Sequence, residues 1–123
     1  MKATFPASQL AAIHATKYLY IRAGEAHRAI AIWVVVVGSR VLVRSWNDKP
    51  GGWYRAFLAE KAGYIRVGTR EFPVRARRVR GERLLDAMDA AYAAKYETPA
   101  NLKYVKGFAT ASRRATTLEL VPA

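Results

Sequence analysis

The segment of residues 43–55, with the sequence VRSWNDKPGGWYR, holds the side chains best suited to bind a ligand. A cationic strand end, a hydroxyl and an amide precede a lysine on a glycine-containing loop. Backbone N–H groups at the start of the following helix, together with Lys49 and Arg55, would suit a phosphate. The three aromatic side chains nearby could flank a planar ring. The same residues equally fit a tight connection whose tryptophans close the end of a β-barrel, and at this level the two interpretations stand side by side.

Groups able to catalyse a reaction are scarce elsewhere in the chain. The sequence has no Cys, and its two histidines, His14 and His27, lie in different predicted elements. We interpret each histidine as a packed or surface residue. The glycine-rich nucleotide-binding, metalloprotease and serine-hydrolase motifs are absent. The residues therefore indicate no catalytic side chain and no metal site.

The net charge of +12, from 21 Lys and Arg against 9 Asp and Glu, favours anionic ligands. The charge is spread along the chain, since residues 1–60 carry 8 basic and 3 acidic side chains and residues 61–123 carry 13 and 6. Without an RNA- or DNA-binding motif, this pattern does not lead us to expect nucleic acid as a partner. Six arginines between Arg66 and Arg80 form either a phosphate-binding stripe or the solvated face of a barrel.

The length of 123 residues fits one domain, spanning residues 1–123. The N-terminal residues lack the apolar core of a signal peptide. The longest apolar run, residues 29–37, is about half the ~20 residues that a membrane-spanning helix needs. We therefore expect a cytoplasmic protein that does not enter a membrane.

The apolar run of residues 29–37 is also the strongest structural signal, because it ends in a series of β-branched residues and shows no alternation. Such a strand must be covered on both sides. One side can face a barrel interior, and the other needs a helix or a second subunit. Gly38 and Ser39 then predict a two-residue hairpin leading into a strand at residues 40–46.

The remaining pattern alternates short strands with small helices. After a first short helix, strands are predicted at residues 18–22, 29–37, 40–46, 64–67, 71–79 and 115–121, and helices at 53–60, 82–96 and 102–111. We expect Gly63 to close the second helix and a bulge at Arg77 and Arg78. Closely spaced hairpins make the strands mostly antiparallel. The predicted fold is mainly β with helices (α+β), a six-stranded antiparallel barrel with short helices packed on it.

Four blocks of the sequence resemble a bacterial family of small proteins known only as a domain of unknown function. The blocks are IWVVVVGSRVLVRSWN, GGWYRAFLAEKAGYIRVG, DAAYAAKY and RATTLELVP, in that order and covering nearly the whole chain. That family in turn resembles the split-barrel superfamily, which includes pyridoxamine-phosphate-oxidase-like flavoproteins and deazaflavin-dependent nitroreductases. The resemblance implies a six-stranded split barrel, a homodimer and an oxidoreductase that uses FMN or a deazaflavin.

The same resemblance assigns roles to individual residues. A flavin ring would lie along Ile32, Trp33 and Val34. Its phosphate would meet the strand end and loop that follow, at Arg44, Ser45, Asn47 and Lys49. In deazaflavin enzymes a glycine-rich turn precedes a tryptophan-containing helix, a pattern that Gly51, Gly52 and Trp53 match. The competing expectation is a barrel that works as a non-catalytic binding module or structural dimer and takes another small anion or no cofactor.

Overall fold

In a computed structural model that describes residues 4–24 and 28–123, the chain forms seven β-strands and five α-helices. The strands are β1 (Tyr18–Ala23), β2 (Ile30–Trp33), β3 (Val35–Val37), β4 (Arg40–Val43), β5 (Ala62–Val67), β6 (Arg70–Arg78) and β7 (Leu118–Pro122). The helices are α1 (Ala7–Ala15), α2 (Trp53–Glu60), α3 (Glu82–Lys95), α4 (Leu102–Phe108) and α5 (Ala111–Arg114), with a 3-10 turn at Pro99–Asn101. His27 and the turn expected at Glu25 lie outside the described residues.

All seven strands belong to one antiparallel sheet in the order β2-β1-β5-β6-β7-β4-β3. The two edge strands, β2 and β3, are consecutive in the chain and separated only by Val34. The sheet therefore curls into a nearly closed barrel, which confirms the predicted α+β class and antiparallel arrangement. The predicted count of six strands is wrong, because the run of residues 29–37 breaks at Val34 and pairs with a different neighbour on each side of the break.

Local predictions are confirmed at the hairpin and corrected at three other places. Gly38, with φ +63°, begins the two-residue turn between Val37 and Arg40 as expected. The next strand ends at Val43 rather than at residue 46. Pairing of β6 with both neighbours is continuous, so the predicted bulge is absent from this strand. Helix α2 is closed by Lys61, with φ 64°, while the expected closing residue Gly63 lies within β5.

The barrel interior is filled by the inward-facing residues of the strands. Leu19, Ile21, Ile65 and Val74 are fully buried there, together with Phe57 of α2. Their alternation with outward-facing residues along β1, β5 and β6 is what places one side of each strand in the core. Burial of these side chains supplies the main driving force for closing the barrel.

A second apolar cluster covers the outer side of β3 and β4. Val35 and Leu42 pack there against Met88 and Tyr92 of α3 and against Phe108 of α4. Of the two coverings that the sequence left open for this run, the structure has the helix on β3 and β4. The outer side of β2 is more open, since Ile30 of that strand is 40% exposed.

Candidate functional site

A cleft lies where the barrel splits next to β2. In the β3–β4 pairing, Val35 is opposite Leu42. Extending that register would place residues 30–33 opposite residues 44–47, but β2 pairs with β1 instead. The space between these two diverging segments is a cleft of about 510 Å³. Its size falls within the range of small-molecule sites, which is roughly 300–1,000 Å³.

The end of helix α3 holds the chain in the split conformation. The Val34 N–H donates to the Tyr96 hydroxyl oxygen at 3.2 Å, and that hydroxyl donates to the Lys17 carbonyl at 2.6 Å. The Lys95 ammonium donates to the Val34 carbonyl at 2.8 Å. Side chains therefore replace the strand partners that Val34 lacks, and this satisfies buried backbone groups that would otherwise be costly.

The opposite side of the cleft is held by α5 and the start of β7. The Ser45 N–H donates to Thr116 Oγ1 at 2.9 Å, and Arg113 Nε donates to the Trp46 carbonyl at the same distance. The Ser45 hydroxyl, on a buried residue, donates to the Asn47 carbonyl at 2.6 Å. Because of these bonds, residues 44–47 turn away from β2 instead of continuing the ladder.

Aromatic side chains form much of the cleft lining. Trp33 stacks on Tyr96, with ring centroids 3.8 Å apart and planes within 3°. Across the cleft, Trp46 packs edge-on against Phe108 at 5.1 Å. Tyr104 of α4 makes edge contacts with both tryptophans, at 6.1 and 5.4 Å. We call Trp33, Trp46, Tyr104 and Phe108 the aromatic wall. One face of the Trp46 ring is covered by the Arg113 guanidinium, 3.7 Å from the ring centroid, so a planar ligand would meet the remaining ring surfaces.

Arg44 lines the cleft but its guanidinium is bound by the protein itself. The side chain is fully buried and donates to Thr117 Oγ1 at 2.8 Å, to the Leu85 carbonyl at 3.0 Å and to the Phe108 carbonyl at 3.1 Å. It also forms an ion pair with Asp89. A phosphate contact would require one of these bonds to break, so the geometry assigns Arg44 to holding β4, α3 and α4 together.

The loop of residues 47–52 contributes the exposed positive charge of the site. Lys49 is exposed at the cleft, and no carboxylate of the described residues pairs with it. Gly52 packs against the Lys49 carbonyl and precedes α2, whose start has neither a side-chain cap nor an acidic residue. Arg55 instead pairs with Asp48, its Nε 2.6 Å from Oδ1. The hydrogen bond to Asp48 raises the pKa of Arg55.

The structure brings most of the sequence-predicted site residues to this cleft. Those that line it are Ile32, Trp33, Arg44, Ser45, Asn47, Lys49, Gly52 and Trp53. Val34 is buried in the interior cluster, Gly51 lies in the turn with φ +78°, and Arg55 is held by Asp48. These three residues are not part of the described cleft lining.

The sequence analysis missed lining residues from the C-terminal part of the chain. Asn101, Tyr104 and Phe108 come from the 3-10 turn and α4, and Tyr18 comes from β1. The first three are spaced three and four residues apart, which is the spacing of one helix face. That spacing was a usable signal, but nothing local connects it to a strand some seventy residues earlier.

The fold and site define a nearly closed antiparallel barrel with a ligand-sized, aromatic-lined cleft. Residues 9–120 match the family DUF2255, described as an uncharacterized protein conserved in bacteria. The match covers most of the chain, and the chain belongs to that family. No curated protein matches it. Across residues 4–24 and 28–123, no helix has both the length and the apolar character that crossing a bilayer requires.

Proposed function

We propose that the cleft binds a planar aromatic molecule with an anionic group, specifically FMN or a deazaflavin, and that the protein is an oxidoreductase using it. One observation carries the binding proposal: a single cleft combines the aromatic wall with an unpaired lysine and an uncapped helix start. The oxidoreductase part, like the expected homodimer, comes from the resemblance to split-barrel flavoproteins.

The apolar side of the cleft supports a planar ligand. Ile32 and Trp33 are half-buried along β2, and their partner at the other side is Trp46. A flat ring between them would cover apolar surface on both of its faces, which favours binding by roughly 25 cal/mol for each Å² buried. Such a cofactor supplies hydride transfer when bound, while the chain orients it and excludes water.

The polar side of the cleft fits one anionic group. Lys49 offers a point charge, and the first N–H groups of α2 are not capped by a side chain. Helix N-termini favour negative charge through these N–H groups and the helix dipole. Since Arg44 and Arg55 are paired with Asp89 and Asp48, the proposal assigns the phosphate to Lys49 and the α2 start.

A second candidate is a non-catalytic binding module with the same cleft. It is favoured by the lining itself, in which the described residues include no carboxylate and no imidazole. The Ser45 hydroxyl is occupied by the Asn47 carbonyl. General acid–base chemistry has few candidates there, so any reaction would depend on the cofactor.

Titration of purified protein with FMN, riboflavin and a deazaflavin, followed by fluorescence, tests the proposal. Lys49→Ala should weaken FMN binding by about 5- to 150-fold, which corresponds to the ~1–3 kcal/mol of a charge-assisted hydrogen bond. Riboflavin, which lacks the phosphate, should be unaffected by this change. Lys106→Ala removes an exposed lysine outside the cleft lining and should change neither affinity.

The outcomes separate the two candidates. Wild-type protein that binds none of the three compounds contradicts the flavin proposal. Equal FMN affinity in Lys49→Ala removes the loop from the site. Tight binding without oxidation of a reduced nicotinamide, or of any other hydride donor tried, supports the binding module.

A further inference from the structure

The outer face of β1, β5 and β6 carries tyrosines and arginines next to one another. Strand pairing places Tyr20 opposite Arg66 and Arg22 opposite Tyr64. Since Leu19, Ile21, Ile65 and Val74 on these strands are fully buried, the alternate residues face outward. We call this outward set the basic tyrosine face. Its members are Tyr18, Tyr20, Arg22, Tyr64, Arg66 and Arg75.

Two of the three rings of this face are exposed, the Tyr64 ring is half-buried, and arginines lie against the rings of Tyr20 and Tyr64. Tyr18 and Tyr20 are 46% and 40% exposed. The Arg66 guanidinium lies 4.2 Å from the centroid of the Tyr20 ring, and that of Arg22 lies 4.4 Å from the Tyr64 ring. Each of these guanidinium groups also donates to a backbone carbonyl, Arg22 to Gly24 at 2.9 Å and Arg66 to Gly68 at 3.1 Å, which holds it in place over its ring. A guanidinium fixed in this way adds positive charge and a planar surface to the face.

The basic tyrosine face carries more positive than negative charge. Glu71 lies 3.7 Å from Arg22, and Arg77 at the border is bound by Glu119. Arg75 is exposed, and among the described residues no carboxylate forms an ion pair with it. Along the sequence the positive charge is spread out. Strand pairing nevertheless brings together cations that are more than forty residues apart, such as Arg22 and Arg66.

We propose that the basic tyrosine face binds single-stranded nucleic acid without sequence preference. Exposed rings stack on bases and the arginines contact phosphates, which is the combination that sequence-tolerant single-strand binding uses. An acidic protein surface would match the charge but offers few planar groups for the rings. This proposal replaces the expectation from charge distribution alone, and it needs no cofactor in the cleft, although Tyr18 belongs to both surfaces.

Fluorescence anisotropy with a labelled oligo(dT) tests the proposal. An oligonucleotide of roughly 15 nucleotides is long enough to cover the binding site of one small barrel domain. We expect binding that weakens by at least tenfold between about 50 and about 200 mM salt, because several counterions are released. Duplex DNA of the same length should bind more weakly. Heparin is the comparison probe, since it is a polyanion without bases.

Variants distinguish stacking from simple charge attraction. Tyr20→Leu keeps an apolar side chain and should weaken oligo(dT) binding by about tenfold with little effect on heparin. Arg75→Ala should weaken both. Arg83→Ala, which removes an exposed cation on α3, is the matched charge control and should have a smaller effect than Arg75→Ala on either probe. Circular dichroism and the midpoint of urea unfolding show that each variant folds.

Three results would overturn the proposal. One is the absence of salt-dependent binding to oligo(dT). Another is an equal loss of heparin and oligo(dT) binding in every variant, including Arg83→Ala. That result would indicate non-specific electrostatic binding over the whole surface. The third combines two observations: wild-type protein binds no oligonucleotide, and it sediments as a dimer that the Tyr20→Leu substitution dissociates. In that case the face is a contact between two copies of the chain.

Discussion

The guanidinium of Arg44 and the carboxylate of Asp89 form an ion pair that joins the end of β4 to helix α3. The Arg44 side chain is completely buried, and that of Asp89 is 25% exposed. The other Asp89 oxygen accepts a hydrogen bond from Arg114, which also contacts Glu82 and Asp86. These contacts connect β4, α3 and α5 behind the cleft and fix the direction in which the chain leaves β4.

Replacement of Arg44 by methionine should lower the free energy of unfolding by about 3–5 kcal/mol, because a buried charged network loses one partner. Asp89, Thr117 and two carbonyls each lose the hydrogen bond that Arg44 donates, and Asp89 keeps only its bond from Arg114. Urea denaturation measures the change. Arg55→Met is the control, since its pair with Asp48 is exposed at the surface and such pairs contribute little. Equal effects of the two substitutions contradict the assigned role of Arg44.

Two buried tyrosines, Tyr92 on α3 and Tyr96 immediately after it, should respond oppositely to loss of the hydroxyl. Tyr96→Phe removes the bonds to the Lys17 carbonyl and the Val34 N–H and should cost about 1–3 kcal/mol of unfolding free energy. No hydrogen bond of ordinary geometry reaches the buried Tyr92 hydroxyl within the described part of the chain, and the backbone of Arg44 is a polar neighbour of it. Tyr92→Phe should therefore be neutral or stabilising. Thermal unfolding of both variants tests this prediction. A larger loss of stability in Tyr92→Phe than in Tyr96→Phe would contradict this account of the split at Val34.

Stability should depend on alkaline pH through Lys95. Burial lowers the pKa of Lys95 from 10.5 to about 8, next to a cavity that His14 also lines. At pH values between these two pKa values, Lys95 is protonated in more of the unfolded chains than of the folded ones. The contribution of Lys95 to stability therefore rises with pH. Burial raises the pKa of Tyr96 from 10.0 to about 12, which opposes this trend only above pH 10.

Comparison of wild-type protein with Lys95→Met between about pH 8 and about pH 10 isolates this effect. The difference in unfolding free energy should shift in favour of the wild type as the pH rises. Lys106→Met, at an exposed position, should follow the wild-type pH dependence. A pH-independent difference between wild type and Lys95→Met would show that the Lys95 amine titrates alike in the folded and unfolded chain.

Gly107 allows Trp46 to lie close to helix α4. A β-carbon at position 107 would clash with Cη2 of the Trp46 ring, so the ring or the helix must move. We expect Gly107→Ala to lose stability overall, because overpacking costs ~1–3 kcal/mol and alanine regains at most about 1 kcal/mol of helix propensity. Tryptophan fluorescence should change as Trp46 is displaced.

Gly81→Ala is the control for Gly107→Ala, because its added β-carbon meets no atom within 4 Å and its φ is −69°. It should leave tryptophan fluorescence unchanged. A Gly107→Ala variant that is more stable than wild type, with unaltered fluorescence, would contradict the close packing of Trp46.

Local signals predicted the elements well where turn chemistry or periodicity was strong. The hairpin at Gly38 and the helix from Glu82 were confirmed because both depend on neighbouring residues. Gly52 and Trp53 line the same cleft as Ile32 and Trp33, and the cofactor roles that the resemblance implies for them stay predictions. Errors arose where distant partners decide, as at the strand break and at the bulge expected near Arg77.

The sequence by itself determined the antiparallel α+β character, the helix boundaries of α3 and the concentration of potential ligand groups in residues 43–55, since these follow from propensity, spacing and turn residues. Only the tertiary structure decided that the apolar run divides at Val34, because Tyr96 and Lys95 reach it from sixty residues away. It also decided that Arg44 is a buried structural cation, while Lys49 forms no ion pair with the described residues. A side chain's role depends on which groups compete for it in space, and that competition is not written in its neighbours along the chain.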